Sequence, residues 1–160
     1  KDEANPSRTE VMLEDQLAKD LKTSMLAGDS ARTETLKMLK SALLYKAVEL
    51  GVRDIGLTED QVIDVLSKES KKRAEAAHMY EKAGRSEQAA AEKFEQKLIS
   101  QYLPQQASDD EITKVIEQVL SKMSDASIQQ MGRVIGEVKA QLGQTADGSR
   151  VASLVKEKLS

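Results

Sequence analysis

The side chains with chemistry to offer are few and mostly cationic. The chain of 160 residues has no cysteine and one histidine, His78. Thiol nucleophiles, disulfides and cysteine-built zinc sites are therefore excluded, and a Ser-His or Cys-His pair could only run through His78. His78 stands beside Met79 and Tyr80 with no second histidine near it, which fits an exposed helix residue better than a metal ligand. The acid pair Asp109-Asp110 falls at a predicted helix start, where carboxylates favour the helix dipole. No Walker-type phosphate loop and no Ser-Ser-Lys amidase arrangement is present. No catalytic residue, metal site or cofactor is assigned.

Two groups of cations remain. In the last thirty residues Arg133, Lys139, Arg150, Lys156 and Lys158 stand against Glu137, Asp147 and Glu157, whereas residues 105–130 hold Lys114 and Lys122 against five acids. A mildly basic face there, with Asp147-Gly148-Ser149 opening a helix, is suited to a phosphate backbone. Arg and Lys contribute through counterion release, and a helix start presents backbone N–H groups. The competing account is an ordinary solvated face with a capping turn. The second group, Lys68, Lys71, Lys72 and Arg73 with Arg85 at a turn, suits an RNA backbone or an acidic partner, or else intrahelical pairing with Glu69 and Glu75.

The net charge is −3, so affinity for a polyanion has to come from a local patch. Phe94, Tyr45, Tyr80 and Tyr102 are the only aromatics, too few for a platform that stacks bases. No run of about 18 apolar residues occurs, so no membrane span is expected and the cytoplasm is the default location.

The elements that carry these residues read as helices throughout. Residues 1–11 lack helical period and read as a disordered polar leader or an added remnant ahead of Met12. Leu13, Leu17, Leu21 and Met25 share one helical face, ended by Gly28; Asp29 or Ser30 caps the next helix, carried by Leu36, Leu39, Leu43 and Ala47 to Gly51. Thr58 and Gln61 form a capping box before a long third helix to Gly84, and Ser86 caps a fourth that must stop before Pro104. Pro104 to Ala107 reads as a hinge between an N-terminal four-helix domain (12–104) and a C-terminal three-helix domain (105–160). In the latter, Ser108 with Glu111, Ser127 with Gln130, and Asp147 open the three helices. Gly132 and Gly136 lie one turn apart, each costing about 1 kcal/mol relative to Ala, and this predicts a close-packed neighbour helix in preference to a substrate-facing surface.

Three phrases carry a resemblance to a known family: Glu69 to Arg73 read with Tyr80-Glu81-Lys82-Ala83-Gly84-Arg85; Tyr102-Leu103-Pro104-Gln105-Gln106; and Met131-Gly132-Arg133-Val134-Ile135-Gly136 followed by Ala146-Asp147-Gly148. In this order they resemble the YqeY family from about Leu13 onward. The resemblance implies an all-α, two-domain protein whose C-terminal domain is similar to the tail of GatB, a subunit of glutamine-dependent tRNA amidotransferases. Ile135-Gly136 stands where many such tails have Met-Gly, a small apolar exchange. The resemblance implies an accessory protein associated with tRNA. The label of carbon-nitrogen ligase with glutamine as amido-N-donor follows the shared domain and not a site in this chain. The expected partners are tRNA and an amidotransferase or another translation-related protein. The alternative is a protein-protein adaptor without nucleic acid. The sequence leaves the oligomeric state open.

Overall fold

The computed structural model of the chain describes residues 12–160, so the leader expected over residues 1–11 lies outside it. The described residues form seven α-helices: α1 Leu13–Ala27, α2 Ser30–Glu49, α3 Glu59–Lys82, α4 Ser86–Ser100, α5 Asp109–Ser121, α6 Met131–Leu142 and α7 Gly148–Leu159. Single-turn 3-10 pieces lie at Ile128–Gln130 and Gly143–Thr145, and no strand occurs among the described residues. The all-α expectation holds. The chain divides into two compact units, one ending at Leu103 and the other running from Pro104 to Ser160.

Local signals in the sequence set most helix ends. Gly28 takes the left-handed conformation at φ +71° and closes α1, where a side chain would be strained. Asp29, rather than Ser30, caps α2 by accepting from Arg32 N–H at 3.2 Å. At α3 both arms of the capping box form: Gln61 N–H donates to Thr58 Oγ1 at 3.2 Å and Thr58 N–H to Gln61 Oε1 at 2.9 Å. Ser108 Oγ accepts from Glu111 N–H at 3.1 Å.

Two expected caps take other forms. Ser86 is the first residue of α4, and Arg85 holds the cap position without a side-chain bond. The reason is the tightness of the turn. Gly84 N–H bonds Glu81 O and Arg85 N–H bonds Tyr80 O, a Schellman closure of α3 that makes Arg85 also the entry to α4. Ser127 opens only the 3-10 turn, whose Gln130 N–H reaches Ser127 O at 2.9 Å, and α6 starts after it at Met131.

In the first unit Leu36, Leu39, Leu66 and Ile99 are wholly enclosed, with Leu17, Leu43, Val62 and Leu98 around them. Tyr102, just past α4, donates its hydroxyl to Asp20 Oδ2 on α1. Asp20 also accepts from Gln16 Nε2 at 2.8 Å, and Arg32 on α2 lies 4.0 Å away. Burial, and then the Asp20 carboxylate, push the Tyr102 phenol above its usual pKa of 10.0. The Tyr-Leu-Pro phrase is thus the strut that returns the end of α4 to the start of the unit.

In the second unit Ile112 and Ile116 from α5, Val134 and Val138 from α6, and Val151 and Val155 from α7 are fully buried against one another. Arg150 on α7 pairs with Asp109 on α5, and Lys158 pairs with Glu117 at 2.9 Å. Both partners advance by eight residues between the two pairs, so α5 and α7 run parallel, stapled at points about 12 Å apart by the helical rise.

Replacing Tyr102 by Phe removes one largely buried hydrogen bond and should lower unfolding free energy by about 1 kcal/mol in urea titrations followed by far-UV circular dichroism. The pH profile adds a sign. The folded phenol titrates above the unfolded one, so its contribution is complete below the unfolded pKa and is lost as pH rises beyond it. The gap between wild type and Tyr102→Phe should therefore narrow above pH 10.

Candidate nucleic-acid interface

The cations of the second unit sit on the exposed sides of α6 and α7, because the inward stripe of both helices is occupied by valine. Arg133 lies in the first turn of α6 and its side chain is 69% exposed, with Glu137 one turn on at 3.5 Å. Lys139, near the other end, is half-buried. Its Nζ donates to Ala146 O at 2.8 Å, and its Cε is 4.0 Å from where a Cβ on Gly148 would stand. A Cβ at Gly148 would thus meet the Lys139 stem at ordinary van der Waals distance, where Lys139 crosses to the start of α7.

Asp147 occupies the cap position of α7 with an extended backbone but makes no side-chain capping bond. Its Oδ2 accepts from Ser149 Oγ at 2.6 Å, correcting the expectation that it caps in the usual way. Arg150 lies one turn into α7, yet its guanidinium turns to Asp109. That hydrogen bond, and then the charge, hold the Asp109 carboxyl below the usual range and raise the guanidinium. Lys156 is exposed and makes no ion pair among the described residues. The structure thus brings Lys139, Gly148 and the start of α7 together, holds Arg150 toward α5, and leaves Arg133 and Lys156 to solvent.

Gly132 and Gly136 correct a second expectation. Both are exposed, and no atom stands within 4 Å of where a Cβ would be at either, so no neighbouring helix packs on them. The cost of Gly136 in the interior of α6 is not offset by packing, and with Gly132 in the first turn it leaves the α6 backbone open to approach along that face.

The second basic group does not form one patch. Arg73 is 13% exposed on its side chain. Nη1 donates to Glu69 Oε2 at 2.6 Å, Nε to Glu95 Oε2 at 3.3 Å, and Nη2 lies against Met38 Sδ. It is an interior strut linking α3 to α4 and α2. Lys68 pairs with Asp64 at 3.1 Å and Lys72 with Glu69 at 3.4 Å, both within α3. Lys71 and Arg85 are exposed, Arg85 at the Schellman turn. His78 is exposed on α3, and no group of His, Cys, Asp or Glu among the described residues is arranged to hold a metal ion. No helix among them is long and apolar enough to cross a membrane. Sequence periodicity alone had no means of distinguishing Arg73 from its neighbours. The signal available was Glu69 four residues before it, the spacing of an intrahelical pair.

Seven helices in two units among the described residues, with several surface cations paired to carboxylates on their own or a neighbouring helix, define a class of small all-α proteins. The model of the Yqey-like protein family matches residues 14–159, and the chain belongs to that family. It is also similar to "Altered inheritance of mitochondria protein 41, mitochondrial" of the yeast Vanderwaltozyma polyspora, with 32% identity over 111 residues. The match covers 68% of this chain and 59% of that protein's length.

Arg73 and Lys72 give a contrast that checks the assignment of interior and surface cations. Arg73→Ala removes the shared partner of the largely buried Glu69 and the part-exposed Glu95 and should cost about 1–3 kcal/mol in denaturant unfolding. Lys72→Ala removes an exposed intrahelical pair and should cost about 0.5 kcal/mol or less.

Proposed function

We propose that the C-terminal unit is a tRNA-binding module that engages the phosphate backbone across the exposed face of α6 and the start of α7, in the cytoplasm. The observation that carries this reading is the open backbone at Gly132 and Gly136, flanked by Arg133. Two glycines one turn apart on a solvated helix weaken that helix and gain nothing from packing, whereas they allow a bulky polyanion to approach the backbone closely. Arg133 and Lys139 on α6, Arg150 near the start of α7 once released from Asp109, and Lys156 in the last turn of α7 supply the cations. The phrase from Met131 to Gly136, which resembles the GatB tail, supports tRNA as the nucleic acid. On that resemblance the protein acts as an accessory to glutamine-dependent tRNA amidotransfer, steadying the RNA for a partner enzyme that carries out the carbon-nitrogen ligation.

Such a surface recognises shape and phosphates rather than bases, which suits a chain with three tyrosines and one phenylalanine. Affinity should therefore fall steeply with salt and vary little among tRNA species.

Fluorescence anisotropy with bulk tRNA, at low and moderate salt, tests the reading. Arg133→Ala and Lys156→Ala touch no enclosed contact, so each should weaken binding and reduce the slope of log affinity against log salt by about 1. Binding that is absent at low salt, or unchanged in the double variant, would reject the RNA reading. A protein-protein adaptor would then be the account to pursue by affinity capture.

A further inference from the structure

Between α1 and α2 the first unit leaves an open cavity of about 330 Å³. Its floor is aliphatic, formed by the buried Leu17, Leu36, Leu43 and Leu57, and half-exposed Leu44 stands at its lip. Val48, Leu50 and Ile55 follow in sequence and are all exposed, Ile55 by 88%. Of these, Leu44 lines the groove itself, and an unfilled apolar groove with an exposed leucine at its lip has the character of an interaction surface.

The rim has a distinctive charge pattern. The α1 wall carries Glu14 and Asp15; the opposite side carries Lys40 on α2 and Arg53 on the loop that follows it. None of these four makes an ion pair among the described residues, so the acids and bases do not satisfy one another across their own groove. Burial raises the Glu14 carboxyl, and the neighbouring Asp15 and Glu59 add to it.

One partner supplies everything this surface lacks. In an isologous two-fold contact each residue pair occurs twice, so an acidic rim and a basic rim on either side of an apolar groove are complementary to a copy of themselves. We propose that the α1–α2 groove is a self-association surface, occupied by the same face of a second copy of this chain. Leu44 of each copy enters the aliphatic groove of the other, while Lys40 and Arg53 of one face Glu14 and Asp15 of the other. The contact lies wholly within the first unit and is independent of the tRNA reading.

Sedimentation equilibrium of the full chain, at concentrations from about 1 μM to 1 mM, tests this, because that span covers weak to moderate association. Wild type should pass from monomer to dimer. Lys40→Glu with Arg53→Glu makes both rims acidic, and Glu14→Lys with Asp15→Lys makes both basic, so each double variant alone should associate about tenfold more weakly or worse. Their equimolar mixture should regain the dimer, because every like-charge contact becomes an opposite-charge one. Leu44→Glu, at an exposed lip, should abolish association while far-UV circular dichroism stays that of a folded helical protein. A wild type that is monomeric throughout the range would overturn the proposal. So would a dimer unaffected by Leu44→Glu and by both double variants, or folded double variants whose mixture fails to associate.

Discussion

Both units depend on the burial of one aliphatic stripe per helix. The chain has no tryptophan, and most of its large fully enclosed side chains are Leu, Ile and Val, so each core closes only when three or four helices press these stripes together. Aliphatic stripes give adhesion with little directional preference. Register is supplied by a few polar contacts at the edges: Arg73 among Glu69, Glu95 and Met38; Tyr102 on Asp20; Arg150 and Lys158 on the acids of α5.

Much of the fold was legible because helix periodicity and helix ends are local. Gly28, the Thr58–Gln61 box and Ser108 act within one turn of themselves, and the sequence placed them correctly, while at α2 it left Asp29 and Ser30 as alternatives of which Asp29 is the cap. Ser86 and Ser127 were misread for a physical reason. A serine ahead of an apolar run announces a cap only if it stands immediately before the first α-helical residue, in an extended conformation. At Ser86 a Schellman turn runs straight into α4, and at Ser127 a 3-10 turn intervenes before α6.

The candidate site was less legible, since charge in sequence does not say which way a side chain turns. Lys68 to Arg73 form one basic run on paper, yet Arg73 is an interior strut and Lys72 is held on its own helix. Arg150 was grouped with Arg133 by proximity in sequence, and its preference for Asp109 depends on α5 and α7 lying side by side, 41 residues apart in the chain. Gly132 and Gly136 show the converse. Their cost was evident from the sequence, but only the structure reveals that the space beside them is open.

The central claim is that the open face of α6, continued to the start of α7, is where the chain meets RNA. The most direct measurement is the ¹⁵N–¹H correlation spectrum of the labelled full chain during titration with tRNA at low salt, followed at the backbone amides of Gly132, Gly136 and Gly148. The account predicts that these three amides shift or broaden before those of Gly28, Gly51 and Gly84 in the first unit, and recover when salt is raised. Changes that begin at the first-unit glycines and leave Gly132 and Gly136 in place would contradict it.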